Sequence, residues 1–452
     1  MKKVITYGTY DFLHHGHVRL LERAKALGDY LVVGVTADGF DHVRGKINVC
    51  QSLTERIEGV RATGLADNII VEEYEGQKID DIKRLEIDIF TVGSDWIGKF
   101  DYLKEYCEVV YLDRTEGISS SEIRSAKNPL RLGLMGGGSV VRKYLAESAY
   151  VNGIQPSGLF CAEDGDACDR IDSAVCRCAS YQELLDSSDA VFVASHPSGH
   201  YDSIKEALEQ KRHVLCESPI ATSEAECREL FDLADQKGLV LAEAIKTAYS
   251  TAYHRLLLLA KSGRIGRIVS VQATCTSLLD LQTSSIPLSK KWTSVTAWGP
   301  AALLPILQLL GTKYSHATMY KCSLAKDPSF DAYGKIDLMY PGAIGTAVFG
   351  KAVKSEGSLI VSGTEGYIFV PAPWWKTDYF EIRKEDPDQN RRFFYQLDGE
   401  GIRHELVSFA KAVELGACHP PIERDTSLAI ARIVEKFARG DDCLYLKPLD
   451  YE

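Results

Sequence analysis

The sequence predicts an α/β protein of about two to four domains, the first of which is built on a parallel sheet. Its 452 residues are more than one hydrophobic core supports. Apolar runs at residues 4–6, 30–35, 69–72 and 87–92 are typical of buried strands, and helical patterns separate them. This alternation is typical of parallel sheets with crossover helices, whose ligands bind at the carboxyl ends of the strands.

Composition and charge exclude several classes of partner. The formal net charge of −11 provides no basic surface for nucleic acid or anionic lipid, so we expect neither a nucleic-acid nor a membrane partner. No apolar run reaches the length of a membrane span, and a strand pattern stands where a signal peptide would have its apolar core. We therefore expect a cytoplasmic protein.

Residues 1–21 carry a cluster of side chains suited to phosphate chemistry. A strand pattern that ends at Gly8 leads into a turn, and a helix pattern follows Gly16. The turn contains the polar residues Thr9, Asp11, His14 and His17. Unpaired amides and the dipole at a helix N-terminus attract anions. The stretch therefore predicts a binding site for a polyphosphate.

The motif HHGH at residues 14–17, preceded by GTYD at residues 8–11, resembles the nucleotidylyltransferase superfamily of doubly wound α/β enzymes. The resemblance implies that His14 and His17 contact a triphosphate and stabilise the pentacoordinate transition state at its α-phosphate. A glycine is expected at position 16, because a side chain there would block the close approach of the nucleotide.

Two further segments narrow the resemblance. GSDWIGKFD at residues 93–101 follows the fourth predicted strand, and RTEGISSS at residues 114–121 follows a further, fifth predicted strand. The second segment resembles the R-T-E-G-I-S-S/T signature of cytidylyltransferases, in particular the glycerol-3-phosphate cytidylyltransferases, and the resemblance covers a first domain at residues 1–127. Arg114 is a permanent cation suited to bidentate phosphate contact, and the serines precede a helix pattern that offers a second anion site.

The resemblance implies attack by an oxygen of glycerol 3-phosphate on the α-phosphate of CTP, which forms CDP-glycerol and releases pyrophosphate. Catalysis would come from positioning and charge stabilisation, with Mg²⁺ bridging phosphate oxygens. The implied catalytic residues are His14, His17, Lys46 and Arg114. The implied substrate-binding residues are Thr9, Tyr10, Asp11, Gly16, Arg56, Asp95, Trp96, Thr115, Glu116, Ile118, Ser119 and Ser120.

Two departures from the family pattern leave the acceptor open. The segment at residues 44–51, which carries Lys46, is one residue longer than the usual loop. Arg56 matches an arginine that helps to bind substrate, but its expected companion two turns later is Gly64. Glycerol 3-phosphate is the favoured acceptor, and another small polyol phosphate or an amino-alcohol phosphate is the alternative.

A second α/β region begins at residue 130, where a strand pattern leads into Gly136-Gly137-Gly138 and a helix pattern. This is a glycine-rich turn of the dinucleotide-binding kind. With residues 189–200, 211–219 and 263–266, the region resembles the Gfo/Idh/MocA oxidoreductases. The resemblance implies a Rossmann domain at residues 128–248 and, at residues 249–452, an α+β domain with a large, open, mostly antiparallel sheet and a last helix that returns to the Rossmann domain. It also implies NAD(P) binding by Gly136 and Gly138. The acidic residue expected on the adenosine ribose falls on Ala162, and the adjoining Glu163 is the candidate for that contact.

The catalytic groups of that oxidoreductase family are missing. The lysine of its E-K-P motif is Ser218 here, and its D-x-G-x-H pair falls on Ala297 and Ala301. Serine cannot act as a cationic acid beside a carbonyl, so we expect that this half has lost hydride transfer. The alternative is a working NAD(P)-dependent reductase with relocated acid groups, for which His200 and His254 are the available imidazoles. Single histidines without visible partners are more often structural.

The sequence thus predicts an active cytidylyltransferase fused to an oxidoreductase-like half that binds a nucleotide or nothing and serves dimerisation, regulation or substrate delivery. The resemblances imply a homodimer or tetramer and a context of cell-surface polysaccharide synthesis, such as capsule or teichoic-acid-like polymers. In the alternative, the second half makes the polyol phosphate for the first. A scaffold protein in which neither half turns over is the competing class, and the intact set of His14, His17 and Arg114 argues against it.

Overall fold

The computed structural model describes residues 1–37, 49, 51–74, 76–113, 129–151, 153–161, 175–278, 288, 291–395, 397–416 and 420–450. The chain divides into two compact units, Met1–Pro129 and Leu130–Glu452. The domain boundary expected after residue 127 lies outside the described residues, and the boundary expected after residue 248 stays a prediction. Among the helices of the described ranges, none is both long and apolar enough to cross a membrane.

The first unit is a five-stranded parallel sheet flanked by helices. Its strands are β1 (Lys3–Gly8), β2 (Tyr30–Thr36), β3 (Asn68–Glu72), β4 (Ile89–Gly93) and β5 (Glu108–Leu112), and its helices are α1 (His15–Lys25), α2 (Leu53–Ala62) and α3 (Gln77–Leu85). The strand order is β3-β2-β1-β4-β5. The connection reverses direction between β1 and β4, and such a point is where parallel sheets open a crevice for ligands.

Both faces of this sheet are buried, which explains its nearly continuous apolar strands. Val4 packs on one face with Leu21 of α1 and Val60 of α2. Ile5, the next residue of β1, packs on the opposite face with Phe90. Successive side chains of a strand point to opposite faces, so each residue of the run finds a core.

The second unit begins with another five-stranded parallel sheet. Its strands are β6 (Leu130–Gly136), β7 (Ile154–Phe160), β8 (Ala190–Ala194), β9 (His213–Glu217) and β10 (Leu241–Ala244), and its helices are α4 (Gly138–Ser148), α5 (Tyr181–Ser187), α6 (His200–Glu209) and α7 (Glu224–Lys237). The order is β10-β9-β8-β6-β7, so the switch point lies between β6 and β8.

A nine-stranded sheet follows. Its strands are β11 (Ile268–Thr276), β12 (His316–Ser323), β13 (Asp331–Tyr340), β14 (Ala343–Gly350), β15 (Leu359–Gly363), β16 (Gly366–Val370), β17 (Tyr379–Arg383), β18 (Arg391–Phe394) and β19 (Cys443–Tyr445). The order is β18-β17-β16-β15-β11-β14-β13-β12-β19, with parallel pairing only at β11/β14 and β12/β19 in the described strands. The predicted α/β class, with a large and mostly antiparallel sheet after two parallel ones, is confirmed.

The last of the four helices that the described residues of this region form packs against both sheets of the second unit. The four are α8 (Thr251–Lys261), α9 (Ser294–Leu310), α10 (Ile402–Leu415) and α11 (Arg424–Arg439). In α11, Leu428 and Ala431 join the core of the parallel sheet, whereas Ile433 and Phe437 join the core of the nine-stranded sheet. One helix thereby ties the two sheets of this unit together.

Candidate active site

The turn between β1 and α1 lies at the carboxyl edge of the first sheet, where β1 pairs with β4. Tyr10 and Phe12 have backbone φ angles of 54° and 46° in this turn. These angles lie in the left-handed region, which residues with a Cβ rarely adopt. The Tyr10 ring is buried, and burial raises the pKa of its phenol. Strained backbone of this kind persists where the surroundings over-determine it, and it concentrates at functional sites.

The two histidines of the motif sit side by side at the start of α1. His14 is the N-cap residue, and its Nδ1 accepts a hydrogen bond from the Gly16 amide at 3.1 Å. The His14 and His17 rings stack with centroids 4.0 Å apart, and His17 meets the Tyr10 ring edge-on at 5.5 Å. A neutral imidazole whose Nδ1 accepts carries its proton on Nε2, so His14 has its N–H donor on that atom. The predicted pair is therefore brought together at a helix N-terminus.

Asp11 connects the histidine turn to the segment before α2. Its carboxylate accepts a hydrogen bond from the Gln51 amide at 2.9 Å, and the Gln51 side-chain oxygen accepts one from the Phe12 amide at 2.6 Å. These reciprocal bonds clamp the turn. A substrate-binding role for Asp11 stays a prediction, and its observed bond gives it a role in holding the turn.

Arg56 is fully buried beneath the same turn. Its guanidinium donates to the main-chain carbonyls of Thr9 and Thr36, both at 2.8 Å, and to that of Gln51 at 3.1 Å. Thr9 follows β1 and Thr36 ends β2, so the arginine holds the carboxyl ends of two neighbouring strands in register. Substrate binding by Arg56 stays a prediction, while its observed contacts are those of a residue that positions the site.

Trp96 follows β4 and so lies at the same edge of the sheet as the histidine turn. It belongs to a short 3-10 helix, Ser94–Trp96, and is half-buried. Its ring packs 5.8 Å from Phe100, and the Lys99 ammonium lies 5.0 Å from the ring centroid. The ring is a candidate surface for a nucleotide base.

The remaining predicted ligands of this edge lie outside the described residues. They are Lys46, Arg114, Thr115, Glu116, Ile118, Ser119 and Ser120, together with the side chain of Asp95. Their roles stay predictions.

A buried ion pair near the same sheet edge was not predicted from the sequence. Lys78 contacts the Glu72 carboxylate, and their side chains are only 8% and 1% exposed. The Thr36 hydroxyl donates to Glu72 at 3.1 Å, which links the pair to the strand end that Arg56 holds. The two charges come from β3 and α3 and form no local motif. The pair can be recognised only in the folded structure, where both side chains are buried.

The glycine turn after β6 has the geometry for a dinucleotide. Gly136 has φ of 122°, and a Cβ there would lie 2.4 Å from the Ala194 carbonyl oxygen, so only glycine lets β6 approach β8 so closely. Gly138 begins α4 with φ of 77°, and a Cβ there would have no atom within 4 Å. The first amides of α4 have no side-chain cap. These residues fit a pyrophosphate of NAD(P), while Glu163 lies outside the described residues.

The three positions at which the oxidoreductase residues are missing share one cleft. Ser218, Ala297 and Ala301 all line a cavity of about 150 Å³. The two imidazoles considered as replacements do not line it. His200 is buried, with its ring nitrogens 2.8 Å from the carbonyl oxygens of Pro219 and Ser195, and burial lowers its pKa. His254 is exposed on α8.

Comparison with known proteins assigns each unit. A family model described as cytidylyltransferase-like matches residues 5–126, and one described as an oxidoreductase family with an NAD-binding Rossmann fold matches residues 130–245. The glycerol-3-phosphate cytidylyltransferase of Bacillus spizizenii is 52% identical over 124 residues, which are 27% of this chain and 95% of the relative. That of Staphylococcus aureus is 46% identical over 124 residues, 27% of this chain and 93% of the relative.

The second unit has solved structural neighbours. A 3-ketoreductase from Actinomadura kijaniata, solved with NADP, superposes with a TM-score of 0.62 at 21% identity over 71% of this chain and 100% of that structure. This likeness shows the fold of the second unit. The chain thus belongs to the family of the glycerol-3-phosphate cytidylyltransferases, which makes it a nucleotidyltransferase, and joins to that unit a second one with the Gfo/Idh/MocA oxidoreductase fold.

Proposed function

We propose that the first unit transfers CMP from CTP to glycerol 3-phosphate, which yields CDP-glycerol and pyrophosphate. The observation that carries the proposal is the stacked pair His14 and His17 at the N-terminus of α1, on the edge where β1 meets β4. The high identity to relatives that bear this name supports the choice of substrates.

The reaction needs positioning and charge stabilisation more than covalent chemistry. The Nε2–H of His14, the His17 imidazole and the first amides of α1 are donors suited to the α-phosphate, whose equatorial oxygens gain charge as the acceptor oxygen attacks. Arg56 and Asp11 hold the turn that carries these donors. Mg²⁺ would enter with the triphosphate and bridge its oxygens, since this ion is usually bound through substrate phosphates.

The acceptor is the finer part of the proposal. Glycerol 3-phosphate fits the relatives, whereas Gly64, at the position expected for a second arginine, has φ of 67° and follows α2 without a side chain that could bind phosphate. Another small polyol phosphate or an amino-alcohol phosphate is therefore the alternative acceptor.

For the second unit we propose that the family's hydride-transfer set has been lost. The clustering of Ser218, Ala297 and Ala301 on one cleft supports this reading, because the missing lysine, aspartate and histidine would all have faced the same cavity. We further propose a cytoplasmic homo-oligomer that supplies CDP-activated polyol to cell-surface polymers.

A pyrophosphate-release assay with CTP and a panel of phosphates tests the proposal. Glycerol 3-phosphate should give the highest kcat/KM, and glycerol without its phosphate should give none. A rate independent of the acceptor would contradict transfer. NAD(P)H oxidation with dihydroxyacetone phosphate or a pentulose phosphate would contradict the loss of hydride transfer.

A further inference from the structure

The cleft that lacks the oxidoreductase residues has a second feature, a group of lysines at one side. Lys143 of α4 and Lys246, in the short 3-10 helix Lys246–Tyr249 after β10, both line it. Both ammonium groups contact Glu400, at 2.9 Å and 2.5 Å. A third, that of Lys376, contacts the same carboxylate at 2.6 Å. We call these four residues the lysine cluster.

Charge in the lysine cluster is unbalanced. Within these four residues, three ammonium groups contact one carboxylate, which leaves a net charge of two positive units. Glu400 itself has φ of 56° between Gly399 and Gly401, which are also left-handed. The backbone is thus held in an unfavourable conformation that brings one carboxylate to three ammonium groups.

Acidic groups at the floor of the cleft carry less than their full negative charge near neutral pH. Burial raises the pKa of Glu217, which lines the cleft and faces Lys246, to about 7. Glu405 lies behind it and accepts a hydrogen bond from Tyr144, and burial raises its pKa to about 8. A carboxyl group that keeps its proton can donate a hydrogen bond to a hydroxyl or phosphate oxygen.

The rest of the cleft limits the size and polarity of an occupant. Its volume of about 150 Å³ is comparable with that of a cavity that holds one benzene molecule, which is much smaller than a nucleotide, and the cleft is partly open to solvent. Trp298 and Trp375 line one wall with ring centroids 4.9 Å apart. Ser218 lies on another, where its hydroxyl donates a hydrogen bond to the buried Glu243 and keeps its oxygen as an acceptor. Indole faces suit the C–H groups of a short polyol.

We propose that the cleft of the second unit is a binding site for a small phosphorylated polyol, with the lysine cluster holding the phosphate. Lys143 and Lys246 contact the phosphate. The Ser218 oxygen accepts a hydrogen bond from one hydroxyl group of the polyol, and Glu217 contacts another. Glu400 competes with the phosphate for the ammonium groups. The site is independent of cytidylyl transfer, and its ligand belongs to the chemical class that the first unit is proposed to consume.

Calorimetric titration of the full chain with glycerol 3-phosphate tests this site. The double variant Lys143→Met/Lys246→Met should bind one equivalent fewer than the wild type, because both cations are gone. The control Lys205→Met, which removes a half-buried lysine paired with Glu229 outside the cleft, should bind as the wild type does. Glycerol should show no binding to the cleft.

A gain of binding separates the proposal from a folding defect. Glu400→Gln removes the competing charge and should tighten the same equivalent by about threefold to tenfold, with the gain shrinking in high salt. The proposal would be overturned if the double variant bound as many equivalents as the wild type, or if Glu400→Gln bound glycerol 3-phosphate more weakly. Pyrophosphate release is measured separately, so failure of the first unit's proposed reaction would leave this result intact.

Discussion

The imidazole rings of His14 and His17 stack with their centroids 4.0 Å apart and their planes inclined by 21°. The first turn of α1 sets this arrangement, because His14 caps the helix and His17 lies one turn further along it. Both rings therefore face the region in front of the helix N-terminus, where the helix dipole already favours an anion. Two donors that converge on one phosphate are what a pentacoordinate transition state requires.

His17→Ala should lower kcat for pyrophosphate release by about two to three orders of magnitude, since it removes a donor to the transition state. The matched control is His15→Ala, because His15 is the exposed neighbour that contacts Arg19 on the helix surface. That variant should keep nearly full activity. Equal losses in the two variants would contradict the role of His17.

Arg56→Lys tests whether Arg56 positions the turn or binds substrate. An ammonium carries its three donors on a single nitrogen and lacks the planar fork with which the guanidinium reaches three carbonyls. A positioning role predicts a lower kcat with an almost unchanged KM for glycerol 3-phosphate, and a free energy of unfolding reduced by about 1–3 kcal/mol for each carbonyl left without a donor. Steady-state kinetics and urea unfolding measure the two effects. A large rise in KM with unaltered stability would instead indicate substrate binding.

Lys78→Met should destabilise the first unit by about 3–5 kcal/mol, because it removes a cation that contacts the buried Glu72 carboxylate. Urea unfolding measures the change. Arg61→Met removes a cation from the exposed pair with Glu58 and should cost less than about 1 kcal/mol. Adding Glu72→Gln to Lys78→Met should recover part of the lost stability. If the two single variants are equally stable, the pair is not buried in solution.

The second unit should lose stability as the pH rises from about 5 to 8. Burial raises the pKa of Glu405 to about 8 and that of Glu217 to about 7, from an ordinary value of 4.5. In this range the folded unit keeps protons that the unfolded chain has released, so the free energy of unfolding falls by up to about 1.4 kcal/mol per pH unit for each group. Glu405→Gln should flatten the dependence measured by urea unfolding, while Glu385→Gln, on an exposed side chain, should not.

The sequence predicts most of the fold because the buried strands form distinct apolar runs in the sequence. The runs that became β1, β2 and β4 are apolar on both faces, as strands buried between two layers of helices must be. The histidine turn is equally visible, because a helix start and a dense motif coincide at residues 14–17. The positions Ser218, Ala297 and Ala301, identified through the resemblance to the Gfo/Idh/MocA oxidoreductases, also line a single cleft.

Interactions between segments that are distant in the sequence could not be predicted from it. The family pattern predicts an arginine at position 56, but it does not show that this arginine donates to main-chain carbonyls. The Lys78 and Glu72 pair forms only because α3 returns to the end of β3. The lysine cluster joins four separate parts of the second unit, from Lys143 to Glu400, and no local pattern marks such a convergence.

Phosphorus NMR of the full chain with CTP, Mg²⁺ and glycerol 3-phosphate tests the central claim most directly. We expect the CTP and glycerol 3-phosphate resonances to decline together while CDP-glycerol and pyrophosphate appear in equal amounts, and His17→Ala to suppress both products. CTP that stays intact with every phosphate acceptor tried, or that decays to CMP without a CDP-linked product, would contradict the account.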